Sequence, residues 1–556
     1  MFLRFARRAL LGCLSLPLMA GAAEPARAAA AIDPDQLERH EDLTESLANS
    51  LHAFSLEIRQ RDLNGIAGHL GPDFSGTDLP LAEGPATPEF RWIEHRPTRD
   101  AKRLDRAAFL ESWGAYLADF QSMEDVRWKV KGAEFSGDPV HAHAKIKFFW
   151  LGRNAQGHRE WVTGQGILDA LRSDEERWQL ESLEITKLDA RVATRDAFHE
   201  VGLTAGIAQT LPPWGSPGNE QFMAHGVALA DVNLDGALDM FLTGSASNFL
   251  YVNQGDGRFT DQARDALVAI TPPATGPLFL DYDNDGDSDL FLASIGTQML
   301  FENRIIPDGR LEFVEVSEQA GVSHIAEGYS ALSADVNADG FPDIYVCSYN
   351  KYGQVMPDSW SDARNGTPNL LFLSNGDGTF AEAASAWGVA DSRWSYAGHF
   401  GDFNGDRRPD LYVANDFGVN TLYIHQGDHF ENEAAAFGLD DTGNGMGVSL
   451  GDYDNDGLLD VHVTNMSSTA GNRILQVLFP DGVNTPEYAN TLLKLAAGNT
   501  LFHNDGNGQF RNVSPEAGPF GGGWAFGGGF LDFDNDGWND LHTPNGFISG
   551  KDLKDT

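Results

Sequence analysis

Carboxylates recur in this chain at a spacing that suits closure around a cation. In Asp452-Tyr-Asp-Asn-Asp-Gly-Leu-Leu-Asp460, acidic side chains stand at positions 1, 3, 5 and 9 and a glycine at position 6. Side chains two apart in a curled loop converge on one centre, and the glycine supplies the positive φ that curls it. Asp452, Asp454, Asp456 and Asp460, with a backbone carbonyl, suit Ca²⁺, which takes about 6 to 8 oxygens in a flexible shell. The pattern recurs at Asp231, Asn233, Asp235 and Asp239, and at Asp281, Asp283, Asp285 and Asp289. It recurs again at Asp335, Asn337, Asp339 and Asp343, and at Asp532, Asp534, Asp536 and Asp540. A sixth set, Asp402, Asn404, Asp406 and Asp410, keeps the donors but has Arg407 where the others have glycine. The expectation is up to six structural Ca²⁺ ions, with the Arg407 loop the weakest site.

Competing chemistry finds little support. There is no Gly-x-Ser-x-Gly elbow, no His-Glu-x-x-His and no evident Cys–His pairing, so no nucleophile with an orienting base is legible. His503 and His542 fall in strand-like positions beside the loops and read as packing residues. Cys347, in the apolar run Ile344-Tyr-Val-Cys-Ser, reads as a small core residue.

The loops need strands to hold them. A run of small residues enters each loop, as in Gly226-Val-Ala-Leu-Ala and Gly445-Met-Gly-Val-Ser-Leu-Gly, and an alternating apolar run such as Leu411-Tyr-Val-Ala leaves it. A third strand follows, as Asn248-Phe-Leu-Tyr-Val-Asn253, then a Gly-Asp-Gly turn and a fourth strand at Phe259. These recur at 369–380, 420–430 and 499–510. Four strands in roughly 50 residues is the unit of a propeller blade, with the small-residue strand innermost. An all-β solenoid is the rival architecture and explains the four-strand unit less well. Successive loops start 50, 54, 67, 50 and 80 residues apart, which puts insertions at 350–366 and 466–497. Insertions on one rim are the expected recognition surface for a protein or glycan partner. Phe198-His-Glu-Val-Gly-Leu-Thr-Ala-Gly-Ile repeats the fourth-strand signature of Phe313 and Phe380, predicting ring closure against the last blade. The residues after Asp540 carry no third-strand signal, so the last blade is expected to be incomplete.

Residues 33–195 lack such loops and form a separate expected domain. Apolar residues at helical spacing (Leu43, Leu47, Leu51, Phe54, Ile58) predict a helix over 37–62, and 105–120 a second. Residues 71–97, rich in Gly and Pro, are expected to be mostly loop. Strands are predicted at 128–135, 141–151, 160–170 and 178–188, giving helices followed by an antiparallel meander. His141, His143, Trp150 and Trp161 are candidates for lining a pocket, with solvent-facing histidines the favoured alternative.

Length and charge fit this division. A chain of 556 residues is too long for one core, and its net charge of −42 is extreme. The six loops alone hold 22 acidic residues. Such acidity argues against nucleic acid or anionic membranes as partners. At the N-terminus, a basic Met1–Arg8 stretch, an apolar Ala9–Met19 core and small residues to Ala28 predict a cleaved signal peptide over 1–28. Arg7-Arg8 loosely resembles a twin-arginine signal. A secreted or periplasmic location follows. Cys13 would leave with the leader and Cys347 would have no disulfide partner.

The loops and Gly-Asp-Gly-x-Phe turns resemble FG-GAP/VCBS repeats, the calcium-bearing units also found in integrin α heads. Val413-Ala-Asn-Asp-Phe-Gly-Val-Asn-Thr-Leu-Tyr and Val463-Thr-Asn-Met-Ser-Ser-Thr-Ala-Gly-Asn-Arg-Ile narrow the resemblance to the bacterial cartilage-acidic-protein-like (ASPIC/UnbV) group. It covers about 197–546 and implies a mainly β chain with a calcium-binding β-propeller over 197–556, usually seven-bladed, here with six loops. Arg61-Asp-Leu-Asn-Gly-Ile-Ala-Gly-His-Leu-Gly-Pro-Asp-Phe carries a resemblance of 33–195 to the SnoaL-like, nuclear-transport-factor-2-like α+β cone. The function expected is an exported binding or scaffold protein with structural Ca²⁺. The alternative is an extracytoplasmic enzyme, such as a hydrolase, with its active site in the cone pocket or on the propeller rim.

Overall fold

The computed structural model describes residues 34–78, 82–86, 90–95, 103–174, 177–193, 198–208, 226–244, 247–270, 274–350, 355–359, 361–467, 494–495, 497–517 and 525–544. Segment 1–28 and most of 466–497 lie outside them. The chain divides into two compact units, one running to His199 and the other beginning at Glu200.

In the first unit the predicted apolar stripe does form one face of a helix, α1 (Pro34–Gln60), with Leu47, Leu51, Phe54 and Ile58 fully buried. A short helix α2 (Leu63–His69) follows, started by the Asp62 carboxylate accepting the Asn64 N–H. Helix α3 (Arg106–Ala118) is capped likewise by Asp105 on Ala108 N–H. The meander comprises β5 (Phe120–Ser136), β6 (His141–Asn154), β7 (Arg159–Asp174) and β8 (Arg177–Ala193), all antiparallel and longer than expected. Residues 71–97 are not mostly loop. They carry β1 (Leu70–Thr77), β2 (Ala82–Ala86) and β3 (Phe90–His95), and β1 also pairs with β4 (Arg103–Asp105). The prolines that argued against strands sit at register shifts, Pro72 between Leu70 and Ser75 and Pro85 between Glu83 and Ala86, where no ladder hydrogen bond is needed. Alternation on β6 turns Ala142, Ala144, Ile146, Phe148 and Trp150 inward. There Trp128 stacks on Phe148 at 4.5 Å, and Trp113 meets Trp150 edge-on at 5.3 Å.

The second unit is mainly β and propeller-like. Five antiparallel four-strand units follow in order: Val227–Asp261, Ala274–Glu315, Ile325–Glu382, Trp394–Asn432 and Gly445–Asn512, the second and third joined through Ile295–Thr297 and Ile325–Glu327 into one eight-stranded sheet. A sixth, from Gly529–Leu531 and Asp540–His542, has two strands among the described residues. Apolar clusters fill the spaces between neighbouring blades. Phe241, Leu250 and Val252 of the first meet Leu290, Leu292 and Phe301 of the second, and equivalent sets join the later pairs. Cys347 lies fully buried in one such cluster, where burial pushes its thiol up to about 12, as expected for a packing residue.

The small-residue strands are innermost. A Cβ on Gly276 of the second blade would lie 2.6 Å from Ser330 Cα and 2.8 Å from Tyr329 O of the third. One on Gly447 of the fifth would lie 3.1 Å from Gly527 Cα before the sixth. Backbone meets backbone along the axis, which only glycine at the contact permits. The asparagines that open the third strands have a role too. Asn369, Asn420 and Asn499 each accept, through Oδ1, an N–H at the end of the second strand (Ser348, Asn415, Asn465) at 2.7–2.9 Å. In the second blade Gln298 does this for Ser294.

The expected closing strand at Phe198 does not form. Phe198–Glu200 lies outside any strand, and Phe198 is two-thirds exposed. What its signature encodes is the connector that follows a fourth strand. Gly206, at φ +81°, seats against the Phe259 carbonyl, just as Gly321 seats against that of Phe380 and Gly388 against that of Phe430.

Candidate metal centres

The six loops share one backbone. Position 6 has positive φ throughout: Gly236, Gly286, Gly340, Gly457, Gly537 and, at 67°, Arg407. Position 4 is also left-handed, which the glycine pattern did not reveal. It is occupied by Leu234 (58°), Asn284 (61°), Ala338 (57°), Asn455 (58°) and Asn535 (58°), and in the Arg407 loop by Gly405 (78°). That loop has moved its glycine from one left-handed position to the other. An L-residue there costs roughly 1–2 kcal/mol, and Asn somewhat less because its short side chain bonds locally.

The carboxylates divide the work. Position 1 curls the loop: Asp231, Asp281, Asp335, Asp402, Asp452 and Asp532 each accept the N–H groups of positions 5 and 6 at 2.8–3.1 Å. Position 9 anchors the loop to its blade. Asp239, Asp289, Asp343, Asp410 and Asp460 are fully buried or nearly so. One oxygen of each accepts the position 2 N–H. The other accepts an N–H at the end of the third strand: Asn253, Asn303, Ser374, His425 and Asn504, at 2.7–2.8 Å. Without a cation this burial disfavours the charged form, pushing Asp289 up to about 8 and Asp343 and Asp410 up to about 6 despite those hydrogen bonds.

Position 3 separates two kinds of loop. Asn233, Asn337 and Asn404 donate to the position 5 carboxylate (Asp235, Asp339, Asp406) at 2.8–3.1 Å, so those loops satisfy themselves. Where position 3 is Asp, carboxylates face one another. Oxygens of Asp281, Asp283 and Asp285 lie within 4.8 Å of each other, as do those of Asp452, Asp454 and Asp460 and those of Asp532, Asp534 and Asp540. Burial, then Asp285, holds the Asp283 carboxyl above its usual range. These acidic clusters could hold a metal ion, and the donor set fits a hard divalent cation. In the fifth loop Asp454 Oδ1 is shut off from solvent with no hydrogen-bond partner, which a cation would supply.

His503 is not the packing residue expected. Its Nδ1 lies 3.3 Å from Asp460 Oδ1 and 3.4 Å from Asp454 Oδ2. Strand periodicity assigned it to a face without showing that this face overhangs the loop.

In the first unit the candidate pocket grouping does not form, and the favoured alternative of solvent-facing histidines is what the structure has. His141 and His143 point to solvent on β6, while Trp150, an odd number of residues away, points into the core. His143 Nδ1 lies 2.7 Å from Asp169 Oδ1, and Ser182 donates to Asp169 Oδ2 at 2.6 Å. The carboxylate sits between hydroxyl and imidazole, so the serine does not face its base as an activated nucleophile must. Segment 350–366 leaves the end of a second strand, away from the aspartate loops. Within it, Ala363 N–H bonds Phe417 O and Asn365 Oδ1 accepts from Trp394 Nε1.

Repeated loops of this geometry on successive four-strand units define a class. Residues 231–292, 281–346, 335–413, 402–463 and 492–543 match the FG-GAP-like repeat. These segments span about half of the chain, and the first four each begin at the position 1 aspartate of a loop. The chain belongs to the FG-GAP-like repeat family. Relatives include cartilage acidic protein 1 of Mus musculus and of Homo sapiens, each 27% identical over 281 residues, 46% of this chain. The match spans 42% of the mouse protein and 41% of the human one. Among solved structures, an Agrocybe aegerita lectin that recognises non-reducing terminal N-acetylglucosamine aligns over 85% of this chain and 99% of its own, at 14% identity and a TM-score of 0.32. A putative scytalone dehydratase from Novosphingobium aromaticivorans aligns over 30% of this chain and 99% of its own, at 10% identity and a TM-score of 0.21.

Proposed function

We propose that this is an exported binding or scaffold protein whose propeller is held together by Ca²⁺ in its aspartate loops. The observation that carries the reading is the repeated set of Asp or Asn oxygens at positions 1, 3, 5 and 9, crowded carboxylates in the loops starting at Asp281, Asp452 and Asp532, on a backbone already curled. Bound Ca²⁺ would supply the positive charge that these carboxylates lack. Asp281, Asp283, Asp285 and Asp289, and their counterparts in the other loops, would hold it, while position 9 transmits the bond to the third strand of the blade. The loops starting at Asp281, Asp452 and Asp532 would depend on the ion most, because the Asn loops meet part of their need internally.

Segments 350–366 and 466–497 are the proposed surface for a protein or glycan partner. Both leave the ends of second strands, so such a partner would not compete with the metal loops. The first unit, helices followed by a long antiparallel meander, supports a nuclear-transport-factor-2-like cone. Its interior is filled by Trp113, Trp128, Phe148 and Trp150, which favours binding over cone-pocket catalysis. Among the described residues no helix is long and apolar enough to cross a membrane.

Thermal unfolding of the full chain in millimolar Ca²⁺ and in chelator tests this reading. A site held at 100-fold its dissociation constant adds about 2.7 kcal/mol to the folded state. The propeller transition is expected to shift upward by several degrees in Ca²⁺, with the first unit unmoved. Superimposable melts would refute calcium-linked folding.

A further inference from the structure

We infer that the fifth and sixth loops clasp each other and take up their cations as a coupled pair, with Asn455 and Asn539 as the positioning residues. This rests on the calcium reading above and adds to it a coupling between neighbouring blades.

Two side-chain hydrogen bonds cross between these loops in opposite directions. Asn455 Nδ2, at position 4 of the fifth loop, donates to Gly537 O, at position 6 of the sixth, at 3.0 Å. Asn539 Nδ2, at position 8 of the sixth, donates to Asp452 O, at position 1 of the fifth, at 2.9 Å. A left-handed asparagine ordinarily bonds its own backbone. Asn455, at φ 58°, reaches into the next blade instead.

Each bond holds a residue on which closure of the other loop depends. Gly537 N–H bonds the Asp532 carboxylate at 2.9 Å, so the turn at position 6 is gripped by its own loop through one peptide group and by Asn455 through the next. The Asp452 carboxylate accepts the Asp456 and Gly457 N–H groups, while its backbone carbonyl is held by Asn539. The two donors are also chain neighbours of candidate ligands: Asn455 lies between Asp454 and Asp456, and Asn539 precedes Asp540. In each loop three carboxylates, of Asp452, Asp454 and Asp460 or of Asp532, Asp534 and Asp540, have oxygens within 4.8 Å of one another. Without a cation, like charges so placed repel and favour an opened loop. Opening either loop would carry off the carbonyl or the amide that the other uses. Closing one loop around a cation thus orders its partner in advance, which is positive coupling.

The other loops serve as internal controls. At position 4, Leu234, Ala338 and Gly405 have no side-chain donor, so the first, third and fourth loops cannot make the forward bond. Asn284 of the second loop makes it, donating to Gly340 O of the third at 3.0 Å. The return bond cannot form there, because position 8 of the third loop is Pro342, which has no side-chain donor. Only the fifth and sixth loops pair an amide at position 4 with an amide at position 8 of the next loop.

Terbium(III), which takes the same oxygen donors as calcium, is the probe, and Trp538 at position 7 of the sixth loop is its antenna. Full-length protein is stripped with chelator and titrated with Tb³⁺. The luminescence that Trp538→Phe and Asp536→Asn each abolish is the signal of the sixth loop. Asp456→Asn, at position 5 of the fifth loop, should raise the half-saturation of that signal by roughly 5-fold or more. The matching change in the fourth loop, Asp406→Asn, should leave it in place. Asn455→Gly and Asn539→Leu install residues found at the same positions of the fourth and fifth loops, and they keep every carboxylate. In either variant Asp456→Asn should no longer move the sixth-loop signal, a non-additivity that a general loss of stability does not produce. Asn455→Gly itself should weaken the sixth-loop signal, although glycine relieves the left-handed position. Circular dichroism checks the fold of each variant, and if one does not fold the other decides. A sixth-loop signal unmoved or tightened by Asp456→Asn, moved as far by Asp406→Asn, or still moved once the clasp is removed overturns the coupling. If no Trp538-dependent signal forms, the metal reading of the sixth loop falls, and the clasp with it.

Discussion

Gly276→Ala tests the central geometric claim, that the strands entering the aspartate loops pack backbone to backbone around the axis. The new methyl carbon would lie 2.6 Å from Ser330 Cα, 2.8 Å from Tyr329 O and 3.1 Å from Ala331 N. Non-bonded carbons settle at about 3.5–4.0 Å, so the two strands must separate by roughly 1 Å. Neither can retreat cheaply. Gly276 lies in a strand paired with Asp289–Thr297, and Ser330 in one paired with Asp343–Ser348. Overpacking a tight core costs about 1–3 kcal/mol, and rigid backbone on both sides puts this case at the upper end. A loss of about 3 kcal/mol lowers the midpoint of the propeller transition by roughly 5–10 °C. The control is Gly529→Ala, also in an entering strand, where an added Cβ meets nothing within 4 Å. It should change stability by less than about 0.5 kcal/mol. Both are measured by thermal unfolding of the full chain in Ca²⁺. If Gly276→Ala melts with the parent protein, or the two variants fall equally, the close axial packing is wrong.

Two further outcomes follow from the site and its surroundings. Arg407→Gly removes the left-handed strain at φ +67° while keeping the N–H that bonds Asp402, and should stabilise the propeller by about 1 kcal/mol; an unchanged or lower melting midpoint would show that the turn carries no strain. Asp416, outside the aspartate loops, is pushed up to about 7 by burial, against the pull of the Tyr349 O–H that donates to it at 2.5 Å. Its folded pKa therefore exceeds its unfolded one, near 3.9. The folded state holds the extra proton between those values, so the associated stability is full below about 4 and is lost as pH rises through about 7. In saturating Ca²⁺ the propeller should lose stability from pH 5 to 8, and Asp416→Asn should flatten that slope; parallel slopes for variant and parent would remove Asp416 as its source.

The sequence revealed the loops because their chemistry is local. Position 1 needs only the N–H groups four and five residues on, so Asp452 and Gly457 announce the curl within one short stretch. The entering strand was legible for a similar reason, since crowding at an axis leaves a run of small residues wherever it occurs. What escaped depends on elements far apart in the chain. Asp460 is bonded by Asn504, and Asn465 N–H by Asn499, pairs separated by the 466–497 insertion. No periodicity shows that His503 overhangs Asp454, because alternation assigns a face and not the object facing it. Prolines misled in β1 and β2 because their cost is real only where the ladder needs their N–H, and here the register shifts around them. Position 4 escaped for a different reason. Only Gly405 marks it with a glycine, while Leu234 and Ala338 accept the strain. That acceptance is informative, because a left-handed leucine persists only where the surrounding bonds over-determine it. In the first loop those bonds are the Asp231 and Asp239 carboxylates on four backbone N–H groups. The aspartates shape the loop before any ion arrives, and on the proposed reading they would hold the ion afterwards. Arg407 and Gly405 follow from the shaping. Because the carboxylates impose the curl, glycine can move between its two left-handed positions without the loop changing shape.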